Sequence, residues 1–148
     1  MNPSNFPPIV IDTREQLPYV FAGFRTERAK LDAGDYSLAG LQSRVSVERK
    51  SVGDAYGCVG GGRKRFVRHL QLLAQLASPA IVIEASLDVF AQGHPRTRIT
   101  GAQAVVSFIS WSEEYRIPVF WCPNREYAER VTLKWLAAYL RHLKADKK

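Results

Sequence analysis

Arg44-Val45-Ser46-Val47-Glu48-Arg49-Lys50 is the stretch from which the rest of the chain can be read. Apolar and polar residues alternate through Val45 to Glu48, the pattern of a half-buried strand. With a side-chain period of two, Val45, Val47 and Arg49 point to one face and Ser46, Glu48 and Lys50 to the other. A carboxylate and an ammonium therefore stand side by side at one strand end. Upstream, Asp35 to Leu38 reads as a second strand, joined to the first by a turn over residues 39–43.

Working outward, Ile9-Val10-Ile11 is a buried-strand candidate that ends at Asp12. Residues 1–8 carry three prolines and read as a flexible lead-in, and residues 16–33 as a Gly-punctuated loop with at most one helical turn. Ser51 opens a helical turn running toward Val59, and Gly60-Gly61-Gly62 is a loop. From Arg63 the period becomes helical: Phe66, Leu70, Leu73 and Ala77 share one face, and Ser78-Pro79 stops the helix. Ala80 to Ile83 is a continuous apolar strand. After a basic loop over 92–100, Thr100 and Gln103 form a capping box that opens a helix to about Tyr115. Pro118 to Cys122 is another buried strand. Asn124 caps a last helix, with Leu133, Leu136, Leu140 and Leu143 on one face. A hairpin-like start followed by alternating strands and helices predicts an α/β fold, a central mixed β-sheet flanked by helices with right-handed crossovers. A single domain over 9–148 is expected, without repeats or low-complexity segments.

Composition narrows the function. The 148 residues are 46% hydrophobic and 24% charged, the balance of a globular protein. No apolar run is long enough to span a bilayer, and Met1 to Asn5 does not resemble a secretion signal, so an intracellular location and no membrane are expected. Cys58 and Cys122 lack zinc-site spacing and read as buried thiols. Lys and Arg exceed Asp and Glu by 21 to 14, a net charge of +7, which suits a polyanionic partner such as DNA.

Against that basic background the acids are informative. Phosphodiester hydrolysis uses a carboxylate to hold a hard divalent cation and a lysine to position the attacking water or to stabilise developing charge. Glu48 and Lys50 supply both, and Asp35 is the nearest source of a second carboxylate. Asp12 and Asp54 fall near strand or helix ends of the same region. Taken alone, an E-x-K pair on a strand reads as a surface ion pair of little energetic weight.

The pair does not stand alone. Gly34-Asp35, followed after twelve residues by Glu48-Arg49-Lys50-Ser51-Val52-Gly53-Asp54, resembles the G-D…E-R-K-x-x-x-D signature of XPF-type structure-specific nucleases. At average residue usage, E-R-K-x-x-x-D arises in roughly one chain in a thousand of this length. Ile11-Asp12-Thr13-Arg14-Glu15 is similar to the family's D-x-R-E strand end, Gly62-Arg63 to its G-R helix start, and Ile81 to Glu84 to the strand that follows. Asn124 to Arg130 looks like the last helix of short, phage-type members. The resemblance runs in order over residues 9–143.

It implies a restriction-endonuclease-like fold and Mg²⁺-dependent DNA cleavage near branches or single-strand/duplex junctions, with Mn²⁺ as a substitute. Asp35, Glu48 and Asp12 would ligate metal, and Lys50 would organise the water. Asp54 would complete the acidic cluster, and Arg14 and Glu15 would support it. Arg49 would contribute its carbonyl, its side chain making either an ion pair or a DNA contact. Arg63, Lys64, Arg65 and Arg68 would hold DNA, and the glycine loop reads either as a cradle for a phosphate or as a plain flexible connection. The helix-hairpin-helix and helicase-like regions of larger members have no counterpart here, and Phe66 and Val67 stand where relatives often carry Gln.

Other readings are weaker. Gly57 to Lys64 approaches a P-loop but places Arg63 where Lys is required, so no nucleotide cofactor is expected. His69, His94 and His142 lie far apart and read as ordinary surface or packing residues. Trp111, Trp121 and Trp135 read as packing. The stretch Tyr127 to Leu143, with Trp135 and Tyr139 outside its leucine face, could pair two copies or pack within one. An inactive DNA-binding or dimerisation module of the same fold would be expected to lose acids that are all present here.

Overall fold

The computed structural model describes residues 1–147; Lys148, where the expected domain 9–148 ends, lies outside the described residues. Six strands form one sheet: β1 (Ile9–Asp12), β2 (Thr26–Ala29), β3 (Tyr36–Leu38), β4 (Val45–Lys50), β5 (Ser78–Ile83) and β6 (Val119–Trp121). Their order is β2-β1-β3-β4-β5-β6. β1 and β3, and β3 and β4, are antiparallel; the other neighbours are parallel. The helices are α1 (Val52–Val59), α2 (Arg63–Leu73), α3 (Leu87–Phe90), α4 (Gly101–Tyr115) and α5 (Arg125–Ala145). This is the mixed sheet flanked by helices that the alternation of periods implied. Among the described residues, no helix is long and apolar enough to cross a membrane.

Two apolar clusters cover the two faces. Val45, Val47, Ala80 and Val82 pack with Ala128, Leu136 and Ala137 of α5. Ile81 and Ile83 point the other way, into a cluster with Phe66, Leu70, Phe108 and Trp111 of α2 and α4. The strict alternation along β4 and β5 gives the sheet one α5 face and one face covered by the earlier helices. Burial supplies the driving force, since each fully buried Val, Leu, Ile or Phe side chain contributes about 1.5–3 kcal/mol.

Caps and turns agree with local chemistry. Thr100 and Gln103 make the reciprocal capping box of α4, and Asn124 Oδ1 accepts from the Tyr127 N–H at the start of α5. Both cysteines are free thiols. Gly34 adopts φ +81°, and a Cβ there would lie 2.0 Å from Ser46 Oγ, so only glycine admits this turn into β3.

The structure departs from the sequence reading in five places. Thr26–Ala29 is an edge strand, hidden from pattern reading because three of its four side chains are exposed and no apolar alternation is needed. The proline-rich lead-in folds into a 3₁₀ turn at Pro3–Asn5 and buries Phe6 edge-on against Phe24. α2 ends at Leu73, short of Ala77, and α3 was not anticipated. β6 is half-buried rather than buried because it closes one edge of the sheet.

Candidate active site

The end of β4 opens into a cleft of about 780 Å³ on the α1/α2 side of the sheet. Asp35, Glu48 and Lys50 line it, joined by Asp54 and Cys58 from α1 and His69 from α2. Three local rules deliver them. Strand alternation turns Glu48 and Lys50 to one face. The Gly34 turn brings Asp35 against β4, where its backbone N–H donates to Val47 O at 2.9 Å. Ser51 then caps α1, its Oγ accepting from the Asp54 N–H at 3.3 Å, and this starts the helix directly after Lys50.

Glu48 is 5% exposed and closely held. Its Oε2 meets His69 Nε2, its Oε1 lies 3.5 Å from Lys50 Nζ, and the Asp35 carboxyl is its neighbour in the cleft lining. Asp35 Oδ2 also accepts from the Arg49 N–H at 2.7 Å. Two neighbouring carboxylates, Glu48 buried and Asp35 half-buried, cannot both ionise cheaply. Burial, and then the Glu48 charge, push the Asp35 carboxyl well above the usual aspartate range. Burial also pushes Glu48 up, but the His69 hydrogen bond and the Lys50 charge outweigh it and hold that carboxyl at about 2. Of the two, Asp35 is therefore the carboxyl that gives up its proton less readily. Lys50 sits 5.1 Å over the Phe66 ring. Burial lowers its pKa, but the Glu48 charge more than offsets this, so the ammonium stays protonated.

Other expected site residues are placed differently. Asp12 lines the cleft, yet its carboxylate is spent: Oδ1 accepts from the Leu31 N–H at 2.8 Å and Oδ2 from Arg14 Nε at 2.8 Å. Arg14 donates onward to Leu31 O, so the two fix the loop after β1 and Asp12 has no carboxylate oxygen free of these bonds. Glu15 reaches the cleft rim but accepts from Tyr36 Oη at 2.8 Å. The Arg49 side chain lies behind the sheet, paired with Glu84. Arg63 does not offer its guanidinium to the cleft; it donates to Val59 O and Ser107 Oγ and lies 4.8 Å over Trp111. Of the α2 cations, Arg65 lines the cleft, while Lys64 and Arg68 are exposed on the same helix.

His69, by its spacing an ordinary surface or packing histidine, lies on Glu48 in the structure. The available signal was helical spacing: Arg65 and His69 are four residues apart and share a face beside Phe66. Cys58, expected as a buried thiol, is only half-buried because it lines the cleft beside Lys50, and burial pushes its thiol up. On α5, Leu133, Trp135, Tyr139 and Leu140 pack onto the core, and Trp135 Nε1 donates to Ser78 O, so much of the face considered for pairing serves the monomer.

Among the described residues, no group of three or more His, Cys, Asp or Glu side chains is arranged as a metal cluster. Asp35 and Glu48 remain as two adjoining carboxylates that disfavour each other's ionisation. Such a donor set suits a hard divalent cation, which would relieve the repulsion.

No protein-family model and no curated protein matches the sequence. Solved structures do. XPF from Aeropyrum pernix matches with a TM-score of 0.72 at 20% identity, covering 95% of this chain and 69% of that one. XPF from Aeropyrum pernix in complex with DNA matches with a TM-score of 0.71 at 18% identity, covering 91% and 66%. The chain thus spans about two thirds of the length of these XPF chains. It shares their fold, a mixed six-stranded sheet flanked by helices.

Proposed function

We propose that this chain is a divalent-metal-dependent DNA endonuclease that hydrolyses phosphodiester bonds near branched or single-strand/duplex junctions. The observation that carries the reading is the meeting of Asp35, Glu48 and Lys50 in one cleft of a basic molecule. The fold shared with XPF, one of whose structures is a DNA complex, supports it. The junction preference rests on the sequence resemblance.

Asp35 and Glu48 would hold the cation, with the Arg49 carbonyl as a further oxygen. When bound, Mg²⁺ or Mn²⁺ would screen the phosphate and lower the pKa of a bound water. Each remaining role belongs to a side chain already placed. Lys50, kept protonated by Glu48, acts as a fixed positive charge toward a pentacovalent phosphate rather than as a base. His69 and Lys50 hold the two oxygens of Glu48 from opposite sides, which limits its rotamers. Arg65 at the cleft, with Lys64 and Arg68 beyond it, supplies the cationic track for the DNA backbone. Asp54 adds a negative charge at the rim near Lys50.

The test uses labelled flap, fork, Holliday-junction and linear duplex DNA with Mg²⁺, Mn²⁺ or EDTA. Metal-dependent cutting is expected, strongest on one branched substrate. Asp35→Asn and Lys50→Ala should each reduce it at least 100-fold while DNA affinity stays within a few-fold; 10²–10³ is the usual cost of removing a group that stabilises transition-state charge. Absence of cutting on every substrate would leave the inactive DNA-binding module as the better reading. Pairing of two copies through the exposed remainder of α5, which includes Tyr127, belongs to the same proposal and is read by sedimentation.

A further inference from the structure

We infer that Glu84 is a positioning residue for the cleft, acting through Arg49 from the opposite face of the sheet; only its catalytic consequence rests on the nuclease reading. Glu84 follows β5 directly, and its N–H donates to Lys50 O at 3.0 Å, beside the last residue of β4. By strand alternation its side chain falls on the α5 face with Val82, the face to which Arg49 also turns.

There the Glu84 carboxylate, 10% exposed, gathers donors from three segments of the chain. Tyr19 Oη donates at 2.8 Å, and Arg49 donates through Nε at 3.1 Å and Nη2 at 2.9 Å. Arg125 Nη1, from the first turn of α5, lies 3.5 Å away. Glu15 faces Arg49 from the other side at 3.8 Å. The Tyr19 and Tyr36 rings stack at 4.9 Å, and Arg49 and Arg125 lie 5.8 and 4.7 Å over the Tyr19 ring. Two guanidinium groups are balanced by two carboxylates, so the cluster is neutral as a whole. Arg49 is held by a two-point, charge-assisted fork, the geometry that most restricts a guanidinium.

What separates this cluster from an ordinary buried ion pair is its backbone connection. Arg49 lies between Glu48 and Lys50, and its own N–H is the donor that fixes Asp35 Oδ2 at 2.7 Å. Fixing the Arg49 side chain from behind therefore fixes the strand end on which both cleft carboxylates depend. A buried ion pair by itself is poor evidence of net stabilisation, because desolvation offsets most of its attraction. Glu84, with no atom in the cleft lining, orders the cleft by this route.

The experiment compares wild type with Glu84→Gln and Arg49→Lys. Glutamine keeps the volume and one acceptor oxygen but loses the charge, and lysine keeps the charge but loses the fork. Hydrogen exchange of the residue-49 amide, followed by NMR, reads the bond to Asp35 without DNA or metal. It should accelerate at least tenfold in both variants relative to the β5 amides of Ile81 and Val82. An unchanged rate, or an equal acceleration of all three amides, overturns the inference. If Glu84→Gln does not fold, Arg49→Lys interrogates the same link. In the folded variants, Mn²⁺ affinity by electron paramagnetic resonance should weaken about fivefold or more. The kcat for cutting should drop about tenfold, with KM for DNA held within twofold. The double variant should be no worse than the poorer single, and additive losses would overturn action through Arg49. Should wild type neither bind Mn²⁺ nor cut DNA, the nuclease reading falls, while the amide comparison still decides whether Glu84 positions Asp35.

Discussion

Asp35 and Glu48 are chemically similar carboxylates driven in opposite directions by their surroundings. Glu48 has His69 and Lys50 to offset burial; Asp35 has one backbone donor, burial and a charged neighbour. An aspartate whose folded pKa lies above 3.8 takes up a proton on folding, so its contribution to stability falls as pH rises from 3.8 through the folded value. Asp35→Asn, which keeps an acceptor for the Arg49 N–H, should therefore raise Tm at pH 7 by roughly 2–4 °C, the shift worth about 1 kcal/mol at this size. It should also flatten the loss of stability above pH 3.8 while removing cutting. Calorimetry between pH 4 and 8 checks this, and a lowered Tm would refute the account of the pair. Glu48 has the opposite sign: its folded value of about 2 lies below the usual 4.5, so its stabilisation is present above pH 4.5 and is lost as pH falls toward 2. At this scale the alternation of β4 was enough to bring Glu48 and Lys50 together. Sequence spacing did not reveal that the Asp12 carboxylate is used by Leu31, 19 residues away, or that Arg63 is held by Ser107, 44 residues away. Such partners are set by packing, and no local pattern records them.

At the scale of elements, α2 does two jobs. Phe66 and His69 brace Lys50 and Glu48, while Arg65 and Arg68 on neighbouring turns offer charge to a polyanion. Replacing Arg65 and Arg68 together by Gln should leave Tm nearly unchanged and weaken duplex binding. The log–log salt slope should become shallower by about 1.8, at about 0.9 per phosphate contact. A salt slope identical to wild type would move the DNA track to another surface. α4 depends on its start: Thr100→Ala removes the side chain that caps Gln103 and should cost about 1 kcal/mol, read as an earlier urea midpoint at constant m-value. Helix starts were readable because a cap is a contact between residues three apart. β2 was not, because an exposed edge strand is selected by its backbone pairing to β1 rather than by an apolar pattern.

Over the whole molecule, stability and the proposed chemistry oppose each other at one point, the carboxylate pair. A ligand that relieves this repulsion must stabilise the fold by mass action, by about 2.7 kcal/mol at one hundred times its Kd. Mn²⁺ or Mg²⁺ should therefore raise the Tm of wild type with the logarithm of concentration above Kd, EDTA should reverse the rise, and Asp35→Asn should respond far less. A Tm indifferent to millimolar Mn²⁺ in wild type would argue against Asp35 and Glu48 as the metal ligands.

Periodicity and spacing in the chain were sufficient for the α/β class, for most strands and helices, and for placing Glu48 and Lys50 on one face; the resemblance was needed to single out Asp35, Glu48 and Lys50 as a candidate site. These are local properties: a period of two, a period of 3.6, and a cap three residues ahead. The allocation of polar groups was decided only in the folded molecule. Packing assigned the Asp12 carboxylate to a loop, the Arg63 guanidinium to α4, His69 to Glu48 and Glu84 to Arg49. A buried polar atom must find a partner wherever the fold brings one, and that partner is seldom a neighbour in sequence.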